Sequence, residues 1–167
     1  SGFDDVTSDI PSGLEPLSLP EAGWGAFNAD GSLIAYTRVA TEDRTWKRYR
    51  GGRAQDVWVY DLARNASRQL TDFAGSDHQP AWVGDTIYFA SARTPTLNLS
   101  AVSPQGGAAR AVTDFSDFDV LWPSGGPDAV VFEQGGWIWR HDAGASGAVK
   151  VPVRVPAEAA YTLPVWK

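Results

Sequence analysis

Short runs of apolar and aromatic residues alternate with turn residues along most of the chain. Examples are LIAYT at 33–37, TIYFAS at 86–91 and AVVFE at 129–133, each bounded by Gly, Asp or Pro. Such runs are rich in residues that favour β-strands. Asp-Gly at 30–31 and Gly-Gly at 135–136 each lie between two of these runs, as the turns of β-hairpins do. The pattern predicts an all-β chain without a long amphipathic helix.

The strand pattern repeats with a period of about 40 residues. Residues 55–73 align without a gap on residues 97–115, and both segments end in Thr-Asp-Phe. A period of this length, filled with short strands, is typical of the blades of a β-propeller. The sequence therefore predicts about three blades, each a four-stranded antiparallel sheet. Their expected bounds are 23–71, 79–113 and 119–153.

The remaining segments are interpreted around these blades. Residues 1–13 are expected to be a disordered or tag-like lead, and residues 14–167 a partial β-propeller. Within the latter, 14–19 is predicted as the last strand of a preceding blade and 160–167 as the first strand of a following one. Three blades do not close a ring, since known propellers have about four to eight. An open end would leave aromatic side chains in water, so further blades or a second copy of the chain are expected to cover it.

The composition excludes several classes of function. The 167 residues include no Cys, so disulfides, thiolate metal sites and cysteine nucleophiles are excluded. No apolar run approaches the roughly 18 residues of a membrane-spanning helix, and no signal peptide is visible at the start. The net charge of -6 disfavours nucleic acid as a partner, because an acidic chain repels phosphate. The absence of Met, even at position 1, indicates a chain that begins after processing or inside a longer gene.

One short segment departs from the acidic average and is the main candidate for ligand contact. Residues 44–53 carry five cations and no acidic residue, namely Arg44, Lys47, Arg48, Arg50 and Arg53. Trp46 and Tyr49 lie between them and could stack on the cations or on peptide side chains. Arg pairs with carboxylates through two parallel hydrogen bonds, and a peptide has a carboxylate at its C-terminus. The alternative is that this loop folds over its own acidic blades or packs against a neighbouring domain.

The tryptophans have a structural interpretation. The chain has eight, and Trp58 and Trp139 occupy matched positions of the repeat, with Trp82 in a Pro-x-Trp run before a strand. Tryptophan rings also stack on sugars, which would suggest carbohydrate binding. Because the repeat accounts for most of them, we expect these side chains between blades, where each sheet face is buried by its neighbour.

The chain offers little for catalysis or metal binding. Only His78 and His141 could act as a base near neutral pH. His141 falls where the first repeat has Tyr60, which indicates a packing position. His78 is predicted in a turn before a first strand, where contact with peptide or water is possible. The aspartates at 114–119 lack the Gly and Glu of a calcium loop. No catalytic residue, metal or cofactor is predicted.

The repeat resembles a known class of blade. Pro80-Ala81-Trp82, the Tyr-Phe strand after it and the Leu-Thr at 70–71 resemble the WD40-like (PD40) repeat that is also seen in TolB. The Trp-Lys-x-Tyr-Arg-Gly-Gly run at 46–52 is longer and more unusual. Together with TDFSDFDVLWPSGGPDAVVFEQGGWIW at 113–139, it resembles the N-terminal six-bladed propeller of the tricorn protease family. The resemblance covers the chain from about residue 14.

The resemblance implies a function for the whole protein and a narrower one for this chain. Tricorn-like proteins are large, cytosolic, oligomeric serine peptidases that trim oligopeptides, with two propellers ahead of a PDZ-like domain and the catalytic domains. Their catalytic groups belong to the C-terminal part. The chain is therefore expected to be a non-catalytic scaffold and peptide channel or filter in the cytoplasm. The implied partners are oligopeptides and either the remaining blades and catalytic domains of the parent peptidase or a second copy of the chain.

Two other functions stay open at this point. A TolB-like or stand-alone propeller would bind a protein partner instead of guiding peptides. A lyase or glycosidase of propeller type would need acidic residues clustered around the propeller axis, which a sequence does not reveal. Neither nucleic acid nor a membrane is an expected partner.

Overall fold

The computed structural model describes residues 16–19, 21–40 and 49–154. These residues form three four-stranded antiparallel sheets and no helix. The first blade contains β1 (Gly25–Phe27), β2 (Leu33–Thr37), β3 (Val57–Asp61) and β4 (Ala66–Gln69). The second contains β5 (Asp77–Val83), β6 (Thr86–Ser91), β7 (Asn98–Val102) and β8 (Arg110–Ala111). The third contains β9 (Val120–Gly125), β10 (Ala129–Gln134), β11 (Trp137–Asp142) and β12 (Val149–Lys150). The predicted all-β fold of propeller-like blades is confirmed.

The hairpin turns explain why the strands pair in this register. Between β1 and β2, the Asp30 carboxylate accepts hydrogen bonds from the backbone N–H and the hydroxyl of Ser32, at 2.9 and 2.6 Å. These bonds lower the pKa of Asp30. Gly31 follows with φ of 73°, a left-handed conformation that glycine adopts without steric cost. The turn places Gly25 opposite Tyr36 and Phe27 opposite Ile34.

The assignments at the two ends have different outcomes. The lead at 1–13 and the flanking strand at 160–167 lie outside the described residues. Of the flanking strand predicted at 14–19, residues 16–19 are described and carry no strand. The backbone N–H of Leu19 donates to the carbonyl of Leu17 at 2.7 Å, so the chain bends tightly here instead of extending along a neighbour.

The second blade is buried on both faces. One face packs against the first blade in a core formed by Ala35, Val57, Val59, Leu70, Trp82, Ile87, Phe89 and Val102. The other packs against the third blade in a core formed by Val83, Tyr88, Leu99, Ala101, Val120, Val130 and Phe132. This double burial is why every residue of β7 is buried although the strand is only partly apolar.

The outer faces of the two terminal blades differ. On the first blade, Ile34, Tyr36 and Tyr60 are buried, with Leu19 and Trp58 packed against them. On the third blade, the side chains of Val131, Ile138 and Val149 point away from the second blade and are 38%, 47% and 62% exposed. We call these last three residues the open face. The exposed end that three blades predict is therefore found on the third blade.

The matched tryptophans occupy three environments. Trp82 is buried between the first and second blades, as predicted. Trp139 is half-buried beside the core between the second and third blades, and its ring lies 4.9 Å from that of Phe115. Trp58 lies on the outer face of the first blade, where the Arg38 guanidinium stacks 5.1 Å from its ring, so it does not lie between two described blades.

Candidate functional site

The connections that carry the candidate residues leave the sheets at one edge. The loop between β2 and β3, the connection between β4 and β5 and the loop between β6 and β7 all lie at the edge where β2 and β6 end and β5 begins. We call this the upper edge. It brings Arg50 of the first blade and Arg93 of the second to the lining of one cavity of about 270 Å³. We call it the arginine cavity.

The predicted basic segment is only partly described. Arg44, Trp46, Lys47 and Arg48 lie outside the described residues. Tyr49, Arg50 and Arg53 are described and exposed. Of these, only Arg50 lines the arginine cavity.

The end of the basic loop is held in place by backbone and side-chain hydrogen bonds. The Gln55 side chain is buried, and its amide nitrogen donates to the carbonyl of Val39 at 2.5 Å and contacts the Thr37 hydroxyl at 3.3 Å. The Gln55 carbonyl accepts from the backbone N–H of Asp77 at 2.7 Å. The loop is thereby tied to both blades, which positions Arg50 at the seam between the first and second blades.

A tight turn in the same loop requires glycine. The carbonyl of Gly51 accepts from the backbone N–H of Ala54 at 2.8 Å. Gly51 has φ of 146°, and a Cβ there would lie 2.9 Å from the Tyr49 hydroxyl. A side chain at this position would therefore disturb both the backbone and the ring.

The Arg93 guanidinium is held by a buried carboxylate. Its Nη1 lies 2.5 Å from Oδ1 of Asp77, which is fully buried, and 2.7 Å from the hydroxyl of Ser91. Ser91 also donates to Asp77 at 2.6 Å. The guanidinium lies over the Phe73 ring at 4.8 Å. A buried carboxylate needs such a cation, so the pair fixes Arg93 at the wall of the cavity.

Arg93 was missed by the sequence-based prediction. The available signal was its place two residues after a Tyr-Phe-Ala-Ser strand, close to the start of a loop at the same edge as the basic segment. The run of five cations indicated a site on the first blade alone, whereas a ligand site between the first and second blades needs residues from both. The carboxylate that holds Arg93 is 16 residues earlier in the chain, and only the hairpin of β5 and β6 brings them together.

The prediction for His78 needs a correction. The sequence placed it in a turn, but β5 begins at Asp77, so His78 lies within the strand and pairs with Ala90. The strand starts earlier because Asp77 and His78 already pair with Ser91 and Ala90 of β6. His78 does not line the arginine cavity.

The second histidine lies in the seam between the second and third blades. His141 is buried, its Nδ1 lies 2.9 Å from the Gly147 carbonyl, and its ring meets that of Tyr88 edge to face at 5.5 Å. Within the described residues its Nε2 has no hydrogen-bond partner. This environment is that of a packed core side chain.

Several carboxylates of the described residues serve turns and caps. Asp117 accepts from the backbone N–H of Phe118 at 2.9 Å and from the Gln134 amide at 2.7 Å, and the Phe118 bond is the main cause of its lowered pKa. Asp119 accepts from the backbone N–H of Leu97 at 3.0 Å. Burial raises the pKa of Asp56, against hydrogen bonds from Phe73 and Thr71 that lower it. Nowhere in residues 16–19, 21–40 and 49–154 do three metal-ligating side chains gather.

The structure of the described residues contains no helix of the length and hydrophobicity needed to cross a membrane.

Comparison with known proteins identifies a family that this chain matches. Residues 7–146 match the family model described as the tricorn protease N-terminal beta propeller domain. A tricorn protease homologue of Saccharolobus solfataricus is 25% identical over 75% of the chain, and the putative tricorn protease homologue 2 of Streptomyces coelicolor is 31% identical over 83%. The chain spans 12% of the length of each of these relatives.

Solved structures support the fold. The crystal structure of the tricorn protease superimposes with a TM-score of 0.65 at 22% identity, covering 81% of this chain and 13% of that one. A putative TolB from Agrobacterium tumefaciens gives a TM-score of 0.60 at 20% identity, covering 78% of this chain and 47% of that one. At these identities the likeness concerns the arrangement of blades and not the site.

Proposed function

The chain belongs to the family of the tricorn protease N-terminal β-propeller domain, and from this premise we propose that it is a non-catalytic propeller segment of a tricorn-like serine peptidase. In this proposal it acts as a scaffold and as part of the wall of a channel or filter for oligopeptides. Its partners are the remaining blades and the catalytic domains of a cytoplasmic, oligomeric parent peptidase. Bond cleavage takes place elsewhere in that protein.

The open face is the observation that carries the scaffold proposal. Both faces of the second blade are buried by neighbours, whereas Val131, Ile138 and Val149 present apolar surface to water on the third. Adjacent apolar side chains on a flat sheet face are typical of an interface that a partner covers. The charged residues Glu133 and Arg140 lie on the same face, so the partner is expected to offer polar groups at its margin.

Light scattering tests whether that partner is a second copy. The chain has a mass of 18.0 kDa. The proposal that other parts of the parent cover the open face predicts a monomer, whereas two half-rings that complete each other predict twice this mass. Because the outer face of the first blade is already buried, we expect the monomer. The contrary result is a dimer that Ile138→Asp dissociates and that Ala145→Asp, in an exposed turn, does not. That result would mean that a second copy of the chain, and not the blades of the parent, covers the open face.

The upper edge carries the peptide part of the proposal. It presents Arg50, Arg53 and Tyr49 to solvent on a loop that is anchored to two blades. Arginine and tyrosine at such a position offer hydrogen bonds to peptide carboxylates and carbonyls, and a ring for apolar side chains.

Peptide binding by the 167-residue chain tests it. We expect weak, salt-sensitive binding of short peptides, measured by isothermal titration calorimetry. Arg50→Ala and Arg53→Ala are expected to reduce it, while Arg64→Ala, on the opposite edge, is the matched control. Failure to bind any peptide would remove the channel-wall role. Binding of a folded protein partner in its place would favour the TolB-like alternative.

A further inference from the structure

We propose that the arginine cavity is a carboxylate-binding site, in which Arg50 and Arg93 together hold a carboxylate of a peptide. The inference rests on the proposed contact with peptides and adds to it a place, a second cation and a ligand chemistry. The carboxylate can come from the end of a peptide chain or from an acidic side chain.

The charge of the cavity favours an anion. In the part of the chain that the structure describes, its lining consists of Arg50, Gly75, Ala92, Arg93, Thr94 and Pro95, which include two cations and no acidic residue. Among the described residues Arg50 has no ion-pair partner. The charge of Arg93 is compensated by Asp77, so within the described part of the chain the charge of Arg50 is the uncompensated one at the cavity. This sign is opposite to that of the chain as a whole, whose net charge is -6.

Arg93 has unused donors in a fixed position. A guanidinium carries five N–H groups. The bonds to Asp77 and Ser91 both involve Nη1, and no other described residue takes a bond from the rest of the group. The Phe73 ring below the guanidinium restricts its rotation. A carboxylate at the cavity would therefore meet donors that are already oriented, which lowers the entropic cost of binding.

The other polar group of the lining is already engaged. The hydroxyl of Thr94 donates to the Thr96 carbonyl at 2.6 Å and accepts from the Asn98 amide at 3.0 Å. It therefore closes the loop and leaves recognition to the two arginines. An anion that accepts hydrogen bonds from both arginines would bridge the first and second blades.

The size of the cavity suits the end of a ligand. Sites that enclose drug-sized molecules measure roughly 300–1,000 Å³, and this one measures about 270 Å³. A carboxylate with the atoms next to it fits, while the remainder of a peptide would lie along the upper edge, towards Arg53 and Tyr49. The cavity therefore selects a charged group and not a whole sequence.

Three tripeptides test the inference with the 167-residue chain by isothermal titration calorimetry at low salt. The first is N-acetyl-Ala-Ala-Phe with a free carboxylate, the second is its C-terminal amide, and the third is the amide with Glu in the middle. We expect the neutral amide to bind about tenfold more weakly than at least one of the two acidic peptides, since hydrogen bonds to charged groups are the stronger ones. Preference for the first assigns the site to chain ends, and preference for the third to acidic side chains.

Two variants connect the preference to the cavity. Arg50→Gln removes the uncompensated charge from an exposed loop and is expected to abolish the tenfold preference without affecting the circular dichroism spectrum. The double variant Asp77→Asn with Arg93→Gln removes the buried pair as a unit and leaves no unpaired buried charge. Arg64→Gln on the lower edge is the control and should bind like the unchanged chain.

The failures of the two proposals differ. Equal binding of all three peptides, or a preference that survives Arg50→Gln, overturns the carboxylate site and leaves peptide contact in place. Absence of binding to any of the three overturns both proposals.

Discussion

A Cβ on Gly125 would overlap the backbone carbonyl oxygen of Trp82, so the first strands of the second and third blades touch without room for a side chain. The same two strands are joined by the Gln79 amide oxygen, which accepts from the backbone N–H of Trp122 at 3.1 Å. Gln79 and Trp122 both have a positive φ, near 54° and 53°. These two first strands are therefore in close backbone contact, and each contains a residue in a local conformation that non-glycine residues seldom adopt.

Gly125→Ala is expected to destabilise the chain. Overpacking costs about 1–3 kcal/mol, and here the obstacle is backbone, which has no alternative rotamer. Urea denaturation followed by tryptophan fluorescence measures the loss. Gly126→Ala is the matched control, because a Cβ there meets only the Ala129 carbonyl at 3.5 Å. Equal midpoints for the two variants would show that the seam can relax.

Arg93→Met is expected to cost much more stability than Arg64→Met. Removing one partner of a buried pair costs about 3–5 kcal/mol, since the other charge stays buried. Asp77 is fully buried, whereas the side chain of Arg64 is 82% exposed in its pair with Asp61. An exposed pair contributes about 0–1 kcal/mol. Guanidinium denaturation of both variants measures the difference. Similar midpoints would contradict the structural role assigned to Asp77.

The strands were predictable because their information is local. The LIAYT run became β2 within its predicted bounds, and the 40-residue period supplied the number of sheets. Partners across a seam were not predictable. The burial of Trp82 follows from a neighbouring blade, and the exposure of Ile138 follows from the lack of one on its side of the sheet among the described residues, although both are large apolar side chains in strands.

The candidate site was predictable only in part, for the same reason. A run of cations is visible in the sequence, so Arg50 and Arg53 were identified. Arg93 stands alone in its loop, and its importance depends on Asp77 in another strand and on Arg50 in another blade. The order of residues along the chain does not show that these three elements lie next to one another in the fold.

Substitutions on the open face are expected to be tolerated by the isolated chain. Ile138 is 47% exposed, so Ile138→Ala removes few contacts and should shift the unfolding midpoint little. Leu99→Ala is the comparison, because Leu99 is fully buried in the core between the second and third blades, and such a truncation costs about 2–5 kcal/mol. A large loss for Ile138→Ala would mean that the face is covered in the isolated chain.

Acid is expected to destabilise the chain partly through Asp117. The Phe118 N–H holds the pKa of Asp117 below its usual value, and the Gln134 amide adds to the effect. A lowered pKa in the folded state means that the carboxylate stabilises the fold above the unfolded pKa of about 3.9, and that this contribution is lost as the pH falls through the folded value. Melting temperatures between pH 7 and pH 2.5 measure the slope. Asp117→Asn should flatten it, and Gln134→Ala should do so less. A slope unchanged in Asp117→Asn would show that other carboxylates, such as Asp30 and Asp61 with their lowered pKa values, account for the acid sensitivity.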